Sequence, residues 1–251
     1  LAIVLLVVGL AVGAGAGYFL APSGDGGGTI EVEVAPLAGK TIQLGYISST
    51  TVGLETAVPH VNEIMTVDYN DFAEMLGYDV EFEFLIDDAT GQAAVHLEKV
   101  QGYKSMDISV FIGGLWSGQA SASLSYVNDN DMLMWSSSST SPLLALADDN
   151  LLRMCPTDLI QAPAIGAMLE SRGIEHIVVI QRGDSWADGI YNILEPDFEA
   201  RGGTVLSRIR YAGEATEFAN YLSSAEDKLV EAAALYGIEK CAVEVIAFQE
   251  S

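Results

Sequence analysis

Ile108-Ser109-Val110-Phe111-Ile112-Gly113-Gly114-Leu115-Trp116-Ser117-Gly118 carries a change of period within eleven residues. Ile108 to Ile112 reads as an apolar, buried strand, and Gly113-Gly114 closes it. A helical pattern then runs from Ser117 to Val127. Strand, tight glycine turn and helix in that order are the repeating unit of a parallel sheet.

The same alternation extends on both sides. Thr41 to Ile47 predicts a strand, and Glu55 to Leu76 a helix that stops at Gly77 with Pro59 in its first turn. Val80 to Ile86 alternates Val80, Phe82, Phe84 and Ile86 against Glu81 and Glu83, a half-buried strand. Thr90 is placed to cap a helix running to about Tyr103. Met132 to Trp135 is strand again. The pattern then restarts: Leu151 to Met154 extended, Pro163 to Ser171 helical, Ile177 to Ile180 a buried strand. Trp186 to Ala200 is a helix stopped at Arg201-Gly202-Gly203, Thr204 to Tyr211 a strand, Thr216 to Tyr236 a helix, and Ala242 to Phe248 a strand. Two α/β units are expected, 41–150 and 151–251, with the change-over near Asn150 to Asp158.

The chain has 251 residues, half of them apolar, with 35 acidic and 11 basic side chains and a net charge of −24. So much apolar surface excludes a disordered chain. So few Lys and Arg exclude a nucleic-acid binder, which needs clustered cations against phosphates. Leu1 to Leu20 is almost wholly apolar and uncharged, long enough to span a bilayer, and residues 22–40 follow as a Gly-rich linker. A cleaved leader and a retained anchor both fit. Ala14-Gly15-Ala16 suits a signal peptidase, whereas the length of the run favours a transmembrane anchor over 1–21. Either places the bulk of the chain outside the cytoplasm. Residue 1 is Leu and the last strand stops near the end, so a piece of a longer reading frame is expected.

Several apparent motifs fail. Gly39-Lys40-Thr41 lacks the glycine that a phosphate loop needs at Val34, and a strand follows it. Asp87 to Glu98 carries Ala89 and Gly91 where a calcium loop needs oxygen ligands. Asn128-Asp129-Asn130-Asp131 reads as a solvated turn. His60, His96 and His176 have no second metal ligand at helical spacing. No metal, cofactor or catalytic residue is expected, and no nucleophile stands beside a base as a hydrolase requires. Cys155 and Cys241 leave one bridge open to geometry. What remains is a pair of small-residue loops after strands: Gly113 to Gly118, and the hydroxyl run Ser136-Ser137-Ser138-Ser139-Thr140-Ser141-Pro142. In parallel sheets ligands bind beyond the carboxyl ends of the strands. Hydroxyls and helix N-termini there suit a small polar ligand.

These pieces, in order, resemble the periplasmic-binding type I family, and within it the substrate-binding proteins of branched-chain amino-acid ABC transporters. The resemblance rests on Ile42 to Ile47, Phe84 to Asp88, Phe111 to Gly118, Ser136 to Pro142, Arg153 to Asp158, Gly183 to Gly189 and Tyr211 to Leu222. It implies two Rossmann-like lobes that close on an amino acid or related small polar solute, and an ABC transporter permease as partner. It implies that Ser117 and Thr140 hold a carboxylate, flanked by Trp116 and Gly118, and that a carbonyl at Ser138 or Ser139 meets the ammonium. Trp186 would approach from the second lobe, and so would Gln249 or Glu250 in the turn after Phe248. The loop Ser48 to Gly53 departs from the family's Gly-Pro-rich pattern, and the acid that normally fixes the ammonium would lie past Ser251. A ligand-sensing receptor domain shares this fold and is the alternative reading.

Overall fold

The computed structural model describes residues 37–49, 51–213, 215–236 and 243–248. The first sheet is built from β1 (Lys40–Ser48), β2 (Val80–Asp88), β3 (Val110–Ile112), β4 (Leu133–Ser136) and β5 (Leu151–Arg153). Every pairing is parallel, and the order is β2-β1-β3-β4-β5. The second sheet holds β6 (His176–Arg182), β7 (Thr204–Tyr211) and β8 (Val243–Phe248), again all parallel, in the order β7-β6-β8. The expected α/β class with parallel sheets is therefore found.

Helices connect the strands. In the first unit they are α1 (Thr51–His60) and α2 (Thr66–Met75) before β2, α3 (Ala93–Ser105) before β3, and α4 (Ser117–Asp129) before β4. In the second they are α5 (Gln161–Ser171), α6 (Ser185–Ala200) and α7 (Ala219–Tyr236). One face of the first sheet packs under α3 and α4, where Val100, Tyr103, Leu124 and Val127 meet Ile47, Phe111 and Met134. Gly45 is required there. A Cβ on it would lie 2.3 Å from the Tyr103 ring, so only hydrogen lets α3 sit this close to β1. In the second unit Ile177 and Val179 pack against α5 and α6, while Val178 and Ile180 face Ala225 of α7. β6 is covered on both faces, which is why it reads as an unbroken apolar run.

β2 is an outer strand, and an outer strand exposes unpaired backbone groups. Asn70 of α2 blunts it. Its Nδ2 donates to the Phe82 carbonyl at 3.0 Å, and its Oδ1 accepts from the Phe82 N–H at 2.7 Å. Replacing Asn70 with Ala removes both bonds and is expected to cost about 1–2 kcal/mol in urea unfolding, with no change in transition slope.

Four expectations are corrected. The first helix begins at Thr51, so Pro59 lies near its end and not in its first turn. Proline has no N–H to continue the ladder, and the next turn, Val61–Met65, widens to a π segment. There the Thr66 backbone N–H and its hydroxyl both reach the Val61 carbonyl. Thr90 does not cap a helix. Asp88 Oδ1 takes the Thr90 N–H at 2.7 Å, Thr90 and Gly91 both adopt positive φ, and α3 starts only at Ala93. Leu151–Arg153 pairs with β4 and completes the first sheet, so the crossing to the second follows Arg153. The helix expected from Thr216 begins at Ala219. The expected anchor over 1–21 lies outside the described residues, and so does the linker apart from its last residues. Among the described residues no helix is long and apolar enough to cross a membrane.

Candidate functional site

The loops that leave β3, β4 and β6 at their carboxyl ends meet one another. The loop after β3 is set by its neighbours. Gly114 adopts φ +59°, and its N–H donates to His96 Nε2 at 2.7 Å. His96 Nδ1 lies 2.7 Å from Ser123 Oγ. Since Nε2 accepts, the ring proton sits on Nδ1 and is donated to the serine. Burial pushes the His96 pKa down to about 4, so the ring is neutral near pH 7. His96 is a core residue that shapes the loop.

The loop after β4 is tied to the first by its own hydroxyls. Ser136 Oγ donates to the Gly114 carbonyl at 2.8 Å, and Ser138 Oγ to the Leu115 carbonyl at 2.5 Å. The Ser141 N–H donates to Ser117 Oγ at 3.2 Å. Arg153, the last residue of β5, donates to the carbonyls of Ser139 and Ser141 at 3.1 and 2.8 Å. Thr140 Oγ1 donates to Asp158 Oδ2 at 2.7 Å, and the Asp158 N–H returns a bond to the Thr140 carbonyl at 3.0 Å. Asp158 is almost fully buried. Burial raises its pKa, opposed by the Thr140 hydroxyl, the Arg153 charge and a hydrogen bond from Trp186.

The second unit contributes the start of α6. Asp184 caps that helix, accepting from the Ala187 N–H at 3.1 Å. Its Oδ2 lies 2.8 Å from Arg182 Nε, with both side chains only about a tenth exposed. Neither atom has a hydrogen-bond partner of good geometry, so the contact is electrostatic more than directed. The Arg182 guanidinium lies 4.6 Å from the centre of the Trp116 ring. The Asp184 side chain sits against Gly118 in the first turn of α4. Ser141 Oγ donates to the Ser185 carbonyl at 2.6 Å. Beside these loops Tyr69, Ile112, Trp135 and Ser137 line a shallow, mainly apolar depression of about 110 Å³.

Trp116, Ser117, Gly118, Ser138, Ser139, Thr140 and Trp186 therefore come together, and Gln249 lies outside the described residues. Sequence reasoning missed Arg182, Asp184 and the side-chain role of Asp158. A signal existed for the first two: a charged pair in a loop after a buried strand, in a chain with only 11 bases. Buried polar side-chain atoms without a partner gather here too: Gln119 Nε2, Ser139 Oγ and Ser185 Oγ. Such atoms cost free energy unless a guest pairs with them. Among the described residues no three His, Cys, Asp or Glu side chains are placed to hold a metal ion. Cys155 is a free thiol whose pKa burial raises, and Cys241, with which a bridge was left open, lies outside the described residues.

The chain belongs to the family described as periplasmic binding proteins, which it matches over residues 49–247. Proteins of this family bind ligands without transforming them. An uncharacterised protein of Methanocaldococcus jannaschii is 25% identical over 197 residues, covering 75% of this chain and 47% of that protein. Among solved structures, the leucine-binding protein LivK of Thermotoga maritima superposes with a TM-score of 0.61 at 20% identity, covering 82% of this chain and 63% of that one. The branched-chain amino-acid transporter substrate-binding protein LivJ of Streptococcus pneumoniae, in complex with isoleucine, gives 0.58 at 16%, covering 82% and 64%. A solute-binding protein of an ABC transporter from Rhodopseudomonas palustris, in complex with 3,4-dihydroxybenzoic acid, gives 0.58 at 14%, covering 82% and 61%. The chain thus spans about half the length of the archaeal relative and under two thirds of these structures. At such identities the structural likeness speaks for the fold.

Proposed function

We propose that this protein is the solute-binding component of an ABC importer, working outside the cytoplasm and holding a small polar solute between its two α/β units. One observation carries the reading: loops from both sheets converge through Ser117, Thr140, Asp158 and Trp186, with buried polar atoms left unpaired among them. Catalysis has no part in it. The permease is the partner that takes the solute onward, and the apolar run 1–21 is the proposed membrane attachment. The resemblance implies an amino acid of the branched-chain type as ligand, with Ser117 and Thr140 holding its carboxylate. Here the Thr140 proton is committed to Asp158, so the proposal at this level is a small polar solute.

A thermal-shift screen of the full chain against amino acids, amides, urea, amines and aromatic acids tests it. Binding stabilises by RT ln(1 + [L]/Kd), so a true ligand at a hundred times Kd adds about 2.7 kcal/mol. A shift confined to one chemical class is expected. A sharp, unshifted melt with every class overturns the reading.

A further inference from the structure

Four hydroxyl protons of the loop after β4 are already spent, while Ser139 Oγ is left without a partner. Ser136 donates to Gly114, Ser138 to Leu115, Thr140 to Asp158 and Ser141 to Ser185. A hydroxyl has one proton, so each can offer a ligand only lone pairs while these bonds stand. The helix N-termini of the cleft are occupied as well. Asp184 caps α6 and lies against the first turn of α4, so a carboxylate already stands at both helix N-termini. The guanidinium of Arg153 is held through Nη1 by the carbonyls of Ser139 and Ser141 with its charge acting on Asp158, and that of Arg182 is paired with Asp184. A ligand carboxylate entering beside Thr140 would meet the buried Asp158 carboxylate, which already draws on the Arg153 charge. The Trp116 face already carries a guanidinium, which demonstrates its suitability for a cation. The long-range field agrees, since a net charge of −24 draws cations and repels anions.

From this inventory, which rests on the reading of the cleft as a ligand site, we infer that the solute is an organic cation without a carboxylate, a primary amine or guanidine. Its N–H groups are received by Thr140, Ser138 and the Asp158 carboxylate. Asp158 is thereby the residue that determines specificity: it turns the Thr140 hydroxyl from donor to acceptor and excludes the anion.

The test uses matched probes that differ only in the carboxylate, agmatine against arginine and putrescine against ornithine, with leucine added, in calorimetric titrations of the full chain. The amine of each pair is expected to bind at least tenfold more tightly than its amino acid, and to weaken as salt is raised. Asp158→Asn keeps one acceptor oxygen for Thr140 but removes the charge, so it should cost the amines at least tenfold and narrow the gap within each pair. Thr140→Ser, which keeps the hydroxyl, should preserve the preference and controls for disturbance of the loop. Leucine, arginine or ornithine binding as tightly as the amines overturns the inference and leaves a solute-binding protein standing. A folded chain that binds none of the five overturns the inference, and with the unshifted screen it overturns the broader reading too.

Discussion

Replacing His96 with Gln is expected to flatten the acid limb of the stability curve. The folded ring has a pKa of about 4, below the ordinary 6.5, because burial penalises the imidazolium. A depressed folded pKa means that folding holds the neutral ring. Its contribution is fully present above pH 6.5, declines as pH falls below that value, and is lost as pH passes through 4. Over that window the linkage amounts to about 3 kcal/mol. The 35 acidic side chains act in the opposite sense at the low end, since their protonation relieves repulsion among them. The measurement is therefore a difference: urea unfolding of the parent and of His96→Gln at pH 7.5, 6.5, 5.5 and 4.5. Gln can accept from Gly114 and donate to Ser123, so the variant keeps the loop's partners without the titration. The two curves should converge as pH falls. Parallel curves would mean that His96 is accessible to protons and is not the buried acceptor described here. The effect reaches the ligand site, because protonating Nε2 removes the acceptor that fixes the Gly114 N–H and with it the turn before Trp116 and Ser117.

Local pattern carried most of the element order. β7 was legible end to end because Gly202-Gly203 stops the helix before it. What failed depended on partners that no local pattern names. Leu151–Arg153 is three residues long, and its membership of the first sheet follows from pairing with Met134, Trp135 and Ser136. The start of α1 was missed because Pro59 was read as a beginning, whereas the chain absorbs it with a π turn. The site divides in the same way. Ser117, Ser138, Ser139 and Thr140 were legible because small polar residues after buried strands of a parallel sheet face the binding edge. The direction of their hydrogen bonds was not. Thr140 alone is compatible with donating to a ligand, and only the approach of Asp158, eighteen residues on, commits its proton inside the protein. Likewise Arg182 and Asp184 form a local pair in sequence. Their contacts with Trp116 and Gly118 exist only once the second unit meets the first.

That meeting supplies the second large effect, at Gly189. This residue lies in the second turn of α6 and faces the short 3₁₀ turn Pro142–Leu144 of the other unit. A Cβ there would fall 2.8 Å from Pro142 Cδ and 2.9 Å from Ser141 Oγ, closer than carbon atoms tolerate. Pro142 is a ring and cannot swing away, and Ser141 Oγ is held by the Ser185 carbonyl. Gly189→Leu must therefore push the two units apart. Overpacking of this kind costs about 1–3 kcal/mol. The cost falls only on the arrangement in which the units touch, because the core behind α6, with Ile190, Leu194 and Phe198, is unaltered. Inside the helix the change even removes a glycine, which favours the fold of α6 itself by up to about 1 kcal/mol. Solute affinity should fall about 5- to 150-fold, the same cost expressed as a binding constant, while the melting temperature without ligand changes little. Small-angle scattering should register a larger radius of gyration. Gly102→Leu, on α3 with open space around its Cβ, is the control and should leave both unchanged. An unchanged affinity and radius in Gly189→Leu would show that the units do not need this contact to hold the solute. The ligand would then be bound by the first unit alone, through Ser117 and Thr140, with Trp186 and Arg182 as bystanders.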